Sequence, residues 1–207
     1  KISPSTKIVC MIKASAYGTG SIEVAKALQH QRCDYFAVAF ADEGIELRKA
    51  GITTPIMVLN PEKSAYPSMI EYQLEPNIYS FDTIKSFSEC VTSFGLTNYP
   101  IHLKIDTGMH RVGFIKEEVD KVIEIFKNND HILIKSVFSH LAGSDESKFD
   151  EYTQRQLDIF AEVEKKIRPA FEHHILFHIL NSAGIERFSN YHYDMVRLGI
   201  GLYGISC

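Results

Sequence analysis

KIVCMIKASAYGTG, residues 7–20, joins a short apolar run to a turn of small residues. Positions 8–12 are apolar without a break, the pattern of a parallel strand covered on both of its faces. The run stops at Lys13. Tyr17 follows between Ala16 and the pair Gly18 and Gly20, so a strand delivers an amine to its carboxyl end and a loop then opens a helix. A barrel enzyme presents a lysine for covalent work in this way. For Lys13 taken alone, a solvated lysine at a strand end is the plain alternative. The small residues after it favour a site, because backbone N–H groups and the Tyr17 hydroxyl can meet a phosphate there.

The alternation set up by this stretch continues along the chain. Ser21 can cap a helix running to Leu28, with Ile22, Ala25 and Leu28 at helical spacing. Further strands are expected over 35–39, 55–59, 75–79, 101–106, 134–140, 177–181 and 195–203. Helices fill the gaps: one capped by Asp42 and closed by Gly51, one over 67–72, a long one over 80–94, one over 117–127, and a periodic one over 150–167 stopped by Pro169. Eight short strands with helices between them, and no linker or second compositional region, argue an α/β fold. The sheet is expected to close into a (β/α)8 TIM-type barrel, with 1–207 as its single domain. An open doubly wound sheet is the alternative. The barrel is compact beside the usual ~250 residues, and the sequence stops just after its eighth strand, so the last helix is expected to be absent.

The composition is that of an ordinary globular chain. Of 207 residues, 45% are hydrophobic and 23% charged, enough for one sizeable core. A net charge of −4 without a basic run argues against a nucleic-acid partner. No apolar stretch approaches the roughly 20 residues of a membrane span, and no secretory leader is visible. Cys10, Cys33, Cys90 and Cys207 have neither metal nor redox spacing, so a reduced, cytoplasmic setting is expected. His173, His174 and His178 lack a Cys or acid at ligand spacing; they read as a helix end and a strand start, and no metal is expected.

In a barrel, polar residues at the carboxyl ends of strands are the catalytic candidates. The first strand supplies Lys13, the fifth Lys104 and Asp106 with Arg111 in its loop, the sixth His140, the seventh Asn181 and Ser182, the eighth Arg197 and Gly199. The set is cationic and suits an anion such as a phosphate with a carboxylate. Lys104 shares strand parity with His102 and Asp106. Pointing inward it is a buried ammonium that needs a partner or chemical neutralisation, and pairing with Asp106 or partial exit to solvent would serve equally. Arg197 is buried whichever way its strand faces, since Met195, Val196, Leu198 and Ile200 flank it, and a buried arginine needs fixed partners.

Five segments, MIKASAYGTG, HLKIDTGMHRVGF, FSHLAGSDE, LNSAG and MVRLGIGLYG, resemble in order and spacing the motifs of alanine racemase, a fold-type III enzyme that uses pyridoxal 5'-phosphate. ADEGIELRKAGI together with PIMVLNPE looks like the racemase half of fusions with a cell-wall ligase. The resemblance implies that Lys13 holds the cofactor as a Schiff base and moves the Cα proton on one face. It places Tyr17, Ser182, Gly199 and Ile200 at the cofactor phosphate and Arg197 opposite the pyridine nitrogen. Arg111 falls where the family contacts the substrate carboxylate, His140 where it stacks near the ring, and Lys104 where a lysine is often carbamylated and steadies Arg111. An arginine only donates, so at the ring nitrogen it leaves the electron sink shallow, which suits returning the proton to carbon.

The family's Asn, His and Gly are replaced here by Ser15, Thr19 and His110, and His110 is positioned to crowd the carboxylate pocket. The resemblance also implies a homodimer, a second catalytic base in the form of a tyrosine from a C-terminal β-domain of the partner subunit, and a product, D-alanine, destined for peptidoglycan. That β-domain is absent from these residues, so the barrel is expected to be truncated relative to the full enzyme and poorly active by itself. A racemase for serine or another small amino acid is one alternative; a non-catalytic barrel serving pyridoxal phosphate homeostasis is the other, against which Arg111 and Arg197 argue.

Overall fold

The computed structural model describes residues 2–205. Eight parallel strands, β1 (Lys7–Met11), β2 (Tyr35–Val38), β3 (Ile56–Val58), β4 (Glu75–Ile78), β5 (Tyr99–Lys104), β6 (Ile132–Phe138), β7 (Leu176–His178) and β8 (Met195–Leu198), form one sheet ordered β7-β6-β5-β4-β3-β2-β1-β8. β1 is therefore flanked on both sides, with Val9 opposite Tyr35 on one and Arg197 on the other. β7 and β8 are joined by Asp194 N–H donating to Phe177 O at 3.2 Å and Arg197 N–H to Leu180 O at 3.1 Å. The Asp194 carboxylate also takes the Phe177 N–H at 2.9 Å and Arg168 Nη2 at 2.7 Å. The sheet is thus closed, and the doubly wound alternative is set aside.

Strand alternation sorts the side chains into two layers. Cys10, Ile12, Phe36, Val38, Ile56 and Val58 pack outward under the helices in one continuous core. Val9, Met11, Tyr35, Ala37, Met57, Phe138, Leu176 and Met195 turn inward. The barrel interior also holds His102, Lys104, Ser136, His178 and Arg197, all buried, where branched aliphatics usually fill such a barrel. One irregularity sets this up. The register of β5 on β6 slips between Ile101, opposite Ile134, and His102, opposite Ser136. The slip leaves Lys135 exposed and brings Ser136 onto the inward row beside His102, as a bulge does when it re-aims a strand.

The helices are α1 (Ser21–His30), α2 (Ala41–Lys49), α3 (Tyr66–Glu71), α4 (Phe81–Ser93), α5 (Val119–Lys127), α6 (Asp150–Ile167) and α7 (Ser182–Arg187). α4 starts where the sequence indicates, with Ser80 Oγ accepting from Thr83 N–H at 3.2 Å. Two caps differ from expectation. Ser21 is the first helical residue and makes no cap bond. Not Asp42 but Glu43 closes the start of α2, its Oε2 accepting the N–H groups of Ala39 at 2.6 Å and Phe40 at 3.2 Å. The last two strands are shorter than read. β7 ends at His178, and Asn181 caps α7 by accepting the Gly184 N–H at 2.9 Å. β8 ends at Leu198, after which Ile200–Tyr203 is a 3-10 turn. Continuous apolar residues carried no mark of either stop.

Candidate active site

The segment after β1 is not an ordinary helix. Ala14, Ser15, Ala16 and Tyr17 all have φ between 51° and 56°, a full turn of left-handed helix between Ile12 and Gly18. Each such residue costs roughly 1–2 kcal/mol in an L-chain, so the turn must be held from outside. Glu43 does part of this, since its Oε1 accepts the Ala14 N–H at 2.6 Å while its other oxygen caps α2. Thr19 Oγ1 donates to Ala16 O at 2.6 Å and closes the other end. The turn brings the Tyr17 ring within 6.0 Å of Lys13 Nζ and 5.0 Å of the Tyr203 ring. Tyr203 in turn donates its hydroxyl to Met11 O at 2.8 Å, tying the last turn to the first strand.

Lys13, Tyr17, Lys104, Arg111, His140, Ser182, Arg197, Gly199 and Ile200 all line one cavity of about 650 Å³ at the carboxyl end of the barrel. One wall is an anion cradle. Ser182 Oγ accepts the N–H groups of Gly199 at 3.0 Å and Gly201 at 3.1 Å. A Cβ on Gly199 would meet Tyr17 Oη at 3.5 Å and Ser182 Oγ at 3.6 Å. The hydroxyls of Tyr17 and Ser182 therefore meet near the start of α7, beside two backbone N–H groups now held by Ser182 Oγ that an anion could take over, which is the composition of a phosphate subsite.

The opposite wall is cationic. Arg197 is buried and donates to Ser139 O at 2.6 Å, Ile179 O at 2.9 Å and His178 Nδ1 at 2.8 Å, with His140 Nδ1 at 3.2 Å. Burial draws its guanidinium down to about 9, which still leaves it charged at neutral pH. Burial, then the neighbouring charges of Arg197, Lys104, Arg111 and Lys13, hold His140 well below the usual histidine range. It is neutral, and because arginine only donates, its Nδ1 accepts and its Nε2 carries the proton.

Lys104 is the strained member. It is 7% exposed, and its ammonium lies 4.6 Å from the Phe138 ring centre without a carboxylate partner among the described residues. Asp106, the partner considered from sequence, instead accepts the Gly108 and His110 N–H groups at 2.9 and 3.0 Å. Burial first, then Arg197 and Arg111, push the Lys104 amine well below the usual lysine range. Such a shift raises the share of the uncharged, nucleophilic amine. In the same cavity, Asn77 is buried with its Oδ1 unpartnered and its Nδ2 spent on Leu59 O at 2.8 Å.

Beneath Arg197 runs a chain that the sequence did not reveal. His178 Nε2 meets Ser136 Oγ at 3.0 Å, Ser136 Oγ meets His102 Nδ1 at 2.7 Å, and His102 Nε2 meets Glu75 Oε2 at 2.8 Å. One donor order satisfies every atom: Arg197 to His178, His178 to Ser136, Ser136 to His102, His102 to Glu75. Burial and Arg197 keep His178 well below the usual range and hence neutral. His178 thus proves to be a barrel-interior residue, while His173 Nε2 meets Ile134 O at 2.9 Å elsewhere. The signal for His178 in the sequence was its strand parity with Leu176, too weak to single it out without knowing where β7 begins. His110, for its part, turns its side chain to solvent and pairs with Asp106 at 3.2 Å, so it leaves the cavity open.

A closed parallel barrel with a lysine at the end of β1, an anion cradle at the ends of β7 and β8, and an arginine fixed between them defines a barrel built for an anionic cofactor. The chain belongs to a particular family of this kind: the whole of 1–207 matches the family described as alanine racemase, N-terminal domain. It is 37% identical over 207 residues to alanine racemase 1 of Clostridium acetobutylicum, covering 99% of this chain and 53% of the relative. With alanine racemase of Synechocystis it shares 35% over 208 residues, covering 99% and 55%. The structure resembles alanine racemase of Clostridium difficile 630 with a TM-score of 0.91 and 38% identity, covering 98% of this chain and 53% of that one. It also resembles a Bartonella henselae alanine racemase with covalently bound pyridoxal phosphate, at a TM-score of 0.85 and 28% identity, covering 99% and 58%. The chain spans about half the length of the curated relatives it matches.

Proposed function

We propose that this barrel is the cofactor-binding part of a cytoplasmic, homodimeric alanine racemase that interconverts L- and D-alanine for peptidoglycan. The observation that carries the reading is the convergence of Lys13, Arg197 and the Ser182–Gly199–Tyr17 cradle on one cavity, within a chain that matches the family from end to end. Pyridoxal phosphate fits the residues present. The cradle would offer its hydroxyls and neighbouring backbone N–H groups to a phosphate, and the Arg197 guanidinium and the Lys13 amine line the same cavity. When bound, the group supplies an electron sink that acidifies the substrate Cα–H.

The chain's own residues supply the rest. Lys13 would hold the group covalently, and its Nζ would take and return the Cα proton on one face. Arg197 stays charged and donates only, so it would orient the group without giving up a proton to it. Arg111, at the cavity rim, binds the substrate carboxylate. His140, a neutral imidazole lining the same cavity, would support the bound group from the side. The uncharged amine of Lys104 would add to carbon dioxide and release one proton to solvent, leaving a carbamate able to accept from Arg111 where a buried amine otherwise has no carboxylate partner. Among the described residues Tyr17 is the only tyrosine lining the cavity, and it belongs to the cradle. By the resemblance to the family, the second base would be a tyrosine brought by the other subunit.

The test is direct. Purified protein mixed with pyridoxal phosphate should gain a visible absorbance band that borohydride fixes on the peptide containing Lys13, and Lys13→Ala should lose it. The intact enzyme should racemise alanine in preference to serine on chiral chromatography. A chain that binds the cofactor while the intact enzyme leaves both amino acids untouched would overturn the catalytic reading.

A further inference from the structure

Two of the cysteines that look scattered in sequence meet in space. Cys10, in β1, and Cys33, just ahead of β2, are 23 positions apart, and their Sγ atoms lie 3.2 Å from each other. This is close for sulphur atoms that share no bond. The contact follows from the fold: β1 and β2 are neighbours, and the even positions of β1 point outward into the layer under α1. Cys10 is 3% exposed there, packed in the outer core, whereas Cys33 is partly buried at its margin.

We propose that Cys10 and Cys33 are an oxidisable dithiol, closing to an intramolecular disulfide on reaction with a peroxide. Cys33 is the sulphur an oxidant reaches, because it is the less buried. Its ionised form is stabilised by a hydrogen bond from the Cys10 thiol, which draws Cys33 below the usual thiol range while the same contact and burial push Cys10 up. Burial of Cys33, and then the carboxylate of Asp34, work against the thiolate, so the reaction is slower than at a dedicated peroxidase cysteine. The Cys33 thiolate attacks one peroxide oxygen, the O–O bond breaks, hydroxide leaves, and a sulfenic acid remains. Cys10 sulphur then attacks Cys33 sulphur, and the sulfenic hydroxyl leaves as water with the Cys10 proton. Two thiols and one peroxide give one disulfide and two waters.

The closed loop contains residues 11–32, which is to say Lys13, the left-handed turn and the whole of α1. A bond here places a covalent ring around the segment that presents the lysine, and a ring of this size restrains the unfolded chain appreciably. The proposal does not depend on which amino acid the site processes.

The experiment uses the Cys90→Ser/Cys207→Ser chain, which keeps only this pair, treated with one equivalent of hydrogen peroxide. After unfolding and alkylation, both remaining thiols should have become unreactive together, with a cross-linked peptide pair containing Cys10 and Cys33. The melting temperature should rise by several degrees and return with dithiothreitol. Cys33→Ser and Cys10→Ser in the same background should show neither the cross-link nor the shift. If Cys10→Ser fails to fold, Cys33→Ser alone serves as the comparison, since its position is only partly buried. Retention of both free thiols, accumulation of Cys33 sulfinic acid with Cys10 still free, or dimers linked through Cys33 would each overturn the proposal.

Discussion

Arg197 Nη1 meets His178 Nδ1 at 2.8 Å, and this one contact sets the proton position of a histidine in the middle of the barrel. Since arginine only donates, His178 must present a lone pair upward and its N–H downward. The orientation passes through Ser136 and His102 to Glu75. The guanidinium thus rests on a hydrogen-bonded column that ends in a carboxylate.

His178→Phe keeps the stacking on Phe138, whose ring centre is 5.1 Å away and 6° from parallel, but removes both ring nitrogens. Arg197 and Ser136 each lose a buried partner. The variant should be less stable by about 1–3 kcal/mol in urea unfolding. The wild-type protein should lose stability as pH falls below ~6.5. In that range an unfolded histidine takes up a proton that buried His178 and His140, with native values well below the usual one, do not, so the unfolded state binds more protons and acid favours it. The variant's slope should be smaller by about one proton.

Lys104→Met should stabilise the chain. A native lysine whose pKa lies well below the usual value sheds a proton that the unfolded chain keeps up to about 10.4. Between those two values the unfolded state again binds more protons, and stability rises with pH. Methionine fills the space without that cost, so the gain at pH 7 should be about 1–3 kcal/mol, shrinking as pH rises. Added bicarbonate should stabilise the wild type and leave Lys104→Met unchanged, read by thermal melts in closed cells.

Glu43→Ala tests how the left-handed turn is held. The substitution removes the acceptor for Ala14 N–H and the cap of α2 together. A cap alone is worth about 1 kcal/mol, and release of the turn adds to it. The unfolding free energy should fall by about 2 kcal/mol, and pyridoxal phosphate should bind more weakly in absorbance titrations, because Tyr17 is no longer held against the cradle. Glu43→Gln should fall in between, since its amide oxygen can serve only one of the two sets of donors.

Gly113→Ala should disturb Arg111 from a distance. A Cβ there would lie 2.6 Å from Asp106 N, with φ at +129°. The glycine lets the loop return to β5, where Phe114 N–H donates to Lys104 O and Asp106 N–H to Phe114 O, each at 2.9 Å. A loss of about 1–3 kcal/mol is expected. In the intact enzyme the KM for alanine should rise more than kcat falls.

The barrel and the ring of residues around its mouth were legible because both are written in short-range pattern. Apolar runs of strand length, each holding or ending in a charged residue, announce Lys13, Lys104 and Arg197 at once. What was not legible depends on register. Whether His102 faces Ser136 or Lys135 turns on a one-residue slip in β6, and no local property of ILIKSVF predicts it. The 3-10 turn after Leu198 was hidden for a related reason. Ile200, Leu202 and Tyr203 are as apolar as a strand, and they leave it only because Ser182 takes the N–H groups of Gly199 and Gly201. The left-handed turn was invisible too, as Ala14, Ser15 and Ala16 have no intrinsic leaning toward it.

The bond from Tyr203 to the Met11 carbonyl joins positions 192 apart in the sequence. During synthesis the strand that bears the lysine leaves the ribosome long before the residues of the anion cradle. Until β8 arrives, β1 has a bare edge on one side, and the lysine has no phosphate subsite beside it. Contacts this distant in sequence form late and slowly. The nascent chain therefore carries this lysine in an unfinished setting while the rest of the barrel is made, and the phosphate subsite is completed only as the barrel shuts.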